Sequence, residues 1–286
     1  MALRINYNLA ASVAQRSLGA SQDNYAKQAE RLATGLRINK AGDDAAGMAV
    51  SERLKNQVRG LNQAARNAQD GISMIQTAEG AMGEAHNILA RMRELAIQAS
   101  NDTVTANDRS NLQVEFSALY VEIDRIASST QFNGAAVLTG GSTSVNLQIG
   151  ANNGDTIALN ITPAGGFQPT YLSASFSNLS ANTPGFYNNV GYQSTASATI
   201  SVLDTAINAV STARASLGAM QSRLESAGRS IAVASENAAA ANSRIADADI
   251  AGSMSELVRA QILQQAGISV LAQANQAPSL VLQLLK

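Results

Sequence analysis

Apolar residues recur at every seventh position along two long stretches of this chain that contain no proline. One series runs Leu54, Leu61, Ala68, Ile75, Met82, Leu89, Ala96; the other runs Leu203, Val210, Leu217, Leu224, Ile231, Ala238, Ile245. A seven-residue step held for so long specifies a narrow seam on a long helix, not the broad apolar face of a helix on a globular core. The 4 prolines, Pro163, Pro169, Pro184 and Pro278, all fall outside both stretches. At 1.5 Å per residue, residues 54–99 as a single helix would extend roughly 70 Å, about twice the diameter of a small domain. A chain patterned this way is expected to be long, and length of this kind suits assembly.

Composition agrees with thin seams. Among 286 residues there are 5 Phe, 6 Tyr and no Trp, while small and amide side chains abound. Such a chain lines helix-on-helix contacts better than it fills a thick core. The net charge of −1 gives no electrostatic drive toward nucleic acid. The modest basic excess of the first forty residues (Arg4, Arg16, Lys27, Arg31, Arg37 and Lys40 against Asp23 and Glu30) reads as a solvated helix face. The absence of cysteine removes disulfides, thiolate metal sites and thiol nucleophiles together. Arg4, Asn6, Asn8, Gln15 and Arg16 interrupt the N-terminal segment, so it reads as a poor secretory signal peptide and export without a cleaved signal is expected. No run approaches the 18 apolar residues of a membrane span, so no membrane insertion is expected.

Residues 1–35 read as an amphipathic helix with Ala11, Leu18, Tyr25 and Leu32 seven apart. Two glycines and a polar loop break it over residues 34–42, and Asp43 or Asp44 is placed to cap the long helix that follows. In that helix a companion row, Val58, Ala65, Ile72, Glu79, His86, Arg93, turns polar toward its C-terminal end, implying a seam only partly covered there. Asn101-Asp102-Thr103 ends the rod. A third helix begins near Ala106, with a seam of Leu112, Phe116, Leu119, Ile123 and Ile126.

The period then changes to two. Val145, Leu147 and Ile149, and then Ile157, Leu159 and Ile161, alternate with polar residues around Ala151-Asn152-Asn153-Gly154-Asp155, which predicts a β-hairpin. Residues 163–195 read as a short irregular surface insertion, and the second long helix is expected from about Thr199. Gly252-Ser253 is its expected weak point. Beyond it lie an amphipathic stretch (Met254, Leu257, Val258, Ile262, Leu263, Val270, Leu271) and an apolar tail carrying Leu280, Leu282 and Leu285. The fold class is mainly α: a long antiparallel helical rod or coiled-coil bundle with a small β-hairpin and a short insertion. The apolar stripes of the two end segments have little in the chain to cover them, which implies disorder in the free chain or burial against neighbouring copies.

Nothing in the sequence supports an enzyme. His86 is the only histidine, and there is no G-x-S-x-G elbow, H-E-x-x-H pair, phosphate loop or dinucleotide fingerprint. Asp43, Asp44, Asp247 and Asp249 could converge on a divalent cation, but helix capping explains such aspartates better. No cofactor or metal is therefore expected. The sequons at Asn101, Asn160 and Asn178 are short enough to arise by chance.

Several longer segments resemble the bacterial flagellin family. They are ERLATGLRINKAGDDAAGMAVSERL (30–54), GLNQAARNAQDGISMIQTAEGAM (60–82) and TQFNGAAVL (130–138), then SLGAMQSRLE (216–225), SRIADADIA (243–251) and AQILQQAGISVLAQANQAPSLVLQLL (260–285). The resemblance covers about 1–162 and 196–286 and implies three parts. Residues 1–42 with 247–286 form a terminal coiled coil lining an inner tube. Residues 43–162 with 196–246 form a rod-like outer-tube domain, and residues 163–195 are a small variable surface insertion where larger members carry extra domains.

It also implies a structural subunit that self-assembles into the helical flagellar filament, extracellular and exported through the flagellum's own type III apparatus. The implied partners are other copies, an export chaperone, the cap and hook-junction proteins. The implied assembly seam comprises Leu18, Tyr25, Leu32, Leu257, Ile262, Leu263, Val270, Leu271, Leu280, Leu282 and Leu285. LARMRELAIQASN (89–101) resembles the stretch through which flagellin monomers are sensed by an animal toll-like receptor, with Arg91 and Leu95 matching there and Glu115 on the next helix. Two other roles share parts of the pattern: a hook–filament junction protein, and a secreted adhesin-like filament protein using aromatics such as Phe167, Tyr171 and Phe186 in the insertion.

Overall fold

A computed structural model of the protein describes residues 8–138, 144–160, 190 and 193–284. Among the described residues the chain forms five helices: α1 (Leu9–Thr34), α2 (Ala45–Ala99), α3 (Ala106–Ser129), α4 (Gln193–Ala246) and α5 (Ile250–Leu284). Two antiparallel hairpins lie between α3 and α4: β1 (Gln131–Phe132) with β2 (Ala135–Ala136), and β3 (Ser144–Gln148) with β4 (Thr156–Asn160). The chain divides into two units, residues 1–58 with 236–286 and residues 59–235, and both long helices contribute to each.

In the 59–235 unit the seven-residue rows are the core. Leu61, Ala68, Ile75, Met82, Leu89 and Ala96 of α2 are buried, as are Leu203, Val210, Leu217, Leu224 and Ile231 of α4. Helix α3 adds Phe116, Ile123 and Ala127, with Leu112 and Leu119 packed at the margin. A capping box starts α3, in which the Thr105 hydroxyl accepts from the Asp108 N–H and the Asp108 carboxylate accepts from the Thr105 N–H.

Three side-chain contacts fix α2 and α4 as antiparallel: Ser235 with Asn62, Arg214 with Glu79, and Arg93 with Asp204. The polar end of the companion row is thereby explained. Glu79 and Arg93 are half-buried and meet opposite charges on α4. The row is partly covered there, by a charged partner helix, and the Arg93 and Asp204 side chains stay 40% and 46% exposed.

The β3–β4 hairpin matches the two-residue alternation, with Val145 opposite Leu159 and Leu147 opposite Ile157. Gly154 turns the chain with φ 94°, and Ile161 lies outside the described residues. Leu147 sits so close over Gly71 of α2 that a Cβ there would collide with its Cδ1, and Asn67 Nδ2 donates to the Gln148 carbonyl at 3.0 Å. The β1–β2 hairpin is too short for a periodic signal. Its turn is Asn133-Gly134, both left-handed (φ 51° and 77°), as a two-residue hairpin loop requires.

The other unit is tied at its loops. Leu36 and Asp247 form an antiparallel bridge, in which the Arg37 N–H donates to the Ala246 carbonyl at 2.7 Å and the Ala248 N–H to the Gly35 carbonyl at 2.9 Å. Gly35, left-handed at φ 72°, ends α1 and frees the chain to turn into this bridge. The two aspartates divide the capping task. Asp44 accepts from the Gly47 N–H at 2.8 Å and starts α2, while Asp43 holds the preceding loop through Lys27 Nζ (2.8 Å) and the N–H groups of Asn39 and Lys40.

The break before the last helix lies at residues 247–249 and not at Gly252-Ser253. Asp249 caps α5 by accepting from the Gly252 N–H at 3.1 Å, which places the glycine in the first turn, where its flexibility does least harm. Helix α4 begins at Gln193, ahead of Thr199. Of the expected insertion 163–195, only residues 190 and 193–195 fall within the described residues.

Candidate assembly surfaces

Helices α1 and α5 pair as an antiparallel coiled coil whose register is fixed along its length. Asn8 Nδ2 donates to the Ala274 carbonyl at 2.8 Å, Ser21 Oγ to the Ala260 carbonyl at 3.1 Å, and the Leu36–Asp247 bridge closes the far end. The seam row of α1, all buried or half-buried, is Ala11, Ala14, Leu18, Ser21, Tyr25, Gln28 and Leu32; that of α5 is Ser253, Leu257, Ala260, Gln264, Gly267, Leu271 and Ala274. Both rows alternate steps of three and four, the a/d spacing of a coiled coil. Nine of these 14 positions are Ala, Ser, Gly or Gln, so the seam is narrow and encloses little apolar surface. An open groove of about 530 Å³ runs along the pair, lined by residues that include Ser17, Asn24, Gln28, Glu256 and Arg259. The Gln28 side-chain oxygen is buried there without a hydrogen-bond partner.

The expected assembly residues divide between two faces. Leu18, Tyr25, Leu32, Leu257 and Leu271 are half-buried on the seam within the subunit. Ile262, Leu263 and Val270 are 59%, 54% and 57% exposed. Leu280 and Leu282 lie on the helical backbone of α5, but their side chains, and all of Leu285, lie outside the described residues. Sequence reasoning missed the ordered character of the outer face. Ile250, Met254, Val258 and Ile262 recur every fourth residue as one exposed ridge, and Leu9 and Val13 do the same on α1. The four-residue step was visible in the sequence, but which apolar row faces the partner helix and which faces out was not.

In the other unit, Arg91 of α2 bridges two carboxylates. Its Nε donates to Glu115 of α3 at 2.9 Å and its Nη1 to Glu94 at 3.0 Å. The Glu115 contact, then the Glu94 contact, raises the guanidinium's pKa further. Arg91 and Glu115 are thus brought together on an exposed face, while Leu95 is fully buried beneath them. Beside them, Val114 and Val121, seven apart on α3, are 70% and 64% exposed, and Ile97 on α2 is 45% exposed. Two valines in register outside the α3 seam were the sequence signal for this surface.

The remaining chemistry-bearing residues have structural roles. Asp44 and Asp249 are helix caps, Asp43 is held by Lys27, and among the described residues no three His, Asp or Glu side chains gather as a metal site. The Asp43 carboxyl is pulled down to about 2, first by its hydrogen-bonded pairing with Lys27 and then by the N–H groups of Asn39 and Lys40. His86 is half-buried on α2, with Nδ1 buried and unpaired. No helix among the described residues is long and apolar enough to cross a membrane.

The chain is similar in sequence to known proteins over nearly its whole length. Residues 5–143 match the bacterial flagellin N-terminal helical region and residues 200–285 the bacterial flagellin C-terminal helical region. The chain is 48% identical to a flagellin of Halalkalibacterium halodurans over 282 residues, covering 99% of each chain. It is 44% identical to a flagellin of Bacillus subtilis over 308 residues, covering 99% of this chain and 100% of that one. Among solved structures, the crystal structure of Bacillus cereus flagellin is 34% identical and covers 58% of this chain and 88% of that one, with a TM-score of 0.48. The chain belongs to the bacterial flagellin family.

Proposed function

We infer that this chain, a structural subunit of the extracellular flagellar filament, polymerises by burying the outer faces of α1 and α5 against the same helices of neighbouring copies. The observation that carries this reading is the ridge of Ile250, Met254, Val258 and Ile262, each 46–59% exposed in the isolated subunit. Burying what remains open on such side chains contributes on the order of 1 kcal/mol apiece. Repeated along both helices, that is enough to hold a polymer together, whereas one subunit alone keeps a thin seam. On this reading residues 1–42 with 247–286 line the inner tube. Residues 43–162 with 196–246 form the outer rod, and residues 163–195 make a small surface insertion in place of larger outer domains.

The same faces would be open during export, where a chaperone would cover them, and at the filament's ends, where cap and hook-junction proteins would bind. An animal toll-like receptor would engage the free monomer at the Arg91–Glu115 pair. Leu95 would contribute by holding α2 beneath that pair, since it is buried. In a receptor reporter assay Arg91→Ala monomer is expected to lose most of its signal; an unchanged signal would reject the site.

The decisive test of assembly is electron microscopy of heat-dissociated protein cooled with short filament seeds, alongside a version lacking residues 1–42 and 247–286. Long uniform filaments are expected from the intact chain only. Filaments from the trimmed chain would remove the terminal helices from the mechanism.

A further inference from the structure

Among the methionines of the described residues, one stands apart. Met74, Met82 and Met92 are buried in the helical core at 8%, 0% and 1% exposure, and Met48 and Met220 are half-buried. Met254 is 48% exposed and sits one helical turn from Ile250 and one from Val258 on the outer ridge of α5. Its thioether is open to solvent in the monomer, in the middle of the surface that assembly covers.

Reaction of a thioether with a hydroperoxide needs access of the oxidant to the sulfur. The sulfur lone pair attacks the outer peroxide oxygen, the O–O bond breaks, and the displaced oxygen leaves as water or alcohol after taking up a proton. The sulfur is oxidised by two electrons to a sulfoxide and the peroxide is reduced by two. The product replaces a flexible apolar group with a strongly polar one. Buried in an apolar ridge without a donor, that oxygen opposes burial.

We propose that Met254 is an oxidation site at which peroxide-class oxidants block the unassembled subunit from polymerising, while subunits already in the filament are protected. The proposal rests on the reading that α5's outer ridge becomes buried on assembly. Exposure orders the chemistry: Met254 reacts before the core methionines, so assembly competence is lost while the 59–235 unit remains folded. The block is reversible, because a methionine sulfoxide reductase restores the thioether.

The experiment exposes intact monomer and intact filaments to dilute hydrogen peroxide, maps sulfoxide by peptide mass spectrometry, and measures elongation from seeds. Met254 is expected to oxidise first in the monomer and at least about tenfold more slowly in filaments. Oxidised wild-type monomer should elongate roughly tenfold or more poorly, the change expected when about 1.4 kcal/mol of interface is lost. Reductase treatment should restore it. Met254→Leu, which keeps apolarity and volume, should elongate to the same extent after peroxide as before it. Met254→Gln, which places an amide oxygen there permanently, should elongate as poorly as the oxidised protein.

Normal elongation of monomer carrying sulfoxide at Met254, or equal peroxide sensitivity of Met254→Leu, overturns the proposal alone. Oxidation of Met254 at the same rate in filaments as in monomer overturns the burial reading beneath it.

Discussion

The two units use the same seven-residue grammar with different letters. In the 59–235 unit the seam positions of α2, α3 and α4 are filled by Leu, Ile, Met and Phe, and residues such as Ile75, Met82, Phe116, Leu203 and Leu224 are fully buried. In the α1–α5 pair the equivalent positions mix Leu18, Tyr25, Leu257 and Leu271 with Ala14, Ser21, Ala260 and Gly267, and most of the large apolar residues of α5 face outward. The first arrangement satisfies itself within one chain; the second leaves an exposed apolar ridge, which on the proposed reading other copies cover. On that reading stability and assembly are separated along the sequence.

The sharpest contrast is a pair of truncations. Phe116→Ala removes a ring with no exposed surface from the 59–235 unit and should cost about 3–5 kcal/mol, read as a lowered urea midpoint. Ile262→Ser, on a residue 59% exposed, should leave that midpoint within about 0.5 kcal/mol while seeded elongation fails. A large loss of monomer stability in Ile262→Ser would erase the distinction between the units.

Gly71→Val tests the same division at the hairpin. Its side chain must displace Leu147, and about 1–3 kcal/mol of destabilisation is expected from the 59–235 unit, with β3 and β4 exchanging amide hydrogens sooner. Ser21→Ala removes one of the few fixed ties in the terminal pair, its bond to the Ala260 carbonyl. A loss of about 1 kcal/mol should appear as faster amide exchange along α1 only.

Acid should act on the loop between α1 and α2. Because folding lowers the Asp43 pKa to about 2, the ionised carboxylate stabilises the folded loop. That contribution is complete above the ordinary value of 3.8 and is lost as pH falls toward 2. Asp43→Asn should therefore loosen residues 36–44 at neutral pH, and its difference from wild type in amide exchange should close between pH 4 and 2. The smallest effect belongs to the exposed Arg93–Asp204 pair. A double-mutant cycle should return about 0.2–1 kcal/mol, since both side chains are about half in water.

Much of this division was legible in the sequence. Every heptad residue named for the two long helices is buried except Leu54 and Ile245, because a seam period persisting over many turns admits one solution. The β3–β4 hairpin followed from strict alternation around an Asn/Gly turn. The β1–β2 hairpin escaped because two-residue strands have no period, although Asn133-Gly134 carried its turn. The choice between Asp43 and Asp44 as cap depended on where Lys27, a residue of the previous helix, would reach. On α5 both apolar rows have helical spacing. Only the partner helix decides that Leu257 and Leu271 turn inward while Val258 and Ile262 stay outside. The polar end of the α2 row signalled partial cover, but not which residues would meet it, since Asp204 and Arg214 lie more than a hundred residues away.

The bridge between Leu36 and Asp247 also sets an order of events. Asn8 finds its partner 266 residues later in the chain, at Ala274, and Ser21 finds its own 239 residues later. Contacts of such sequence separation form late, because the intervening chain must first be organised. During synthesis, and again whenever the chain refolds from its N-terminus, the 59–235 unit can therefore be complete while α1 still has no helix to pair with. The residues made last are the ones that give the first helix its place. If the terminal helices carry assembly as proposed, each subunit's capacity to polymerise is withheld until its whole length has arrived.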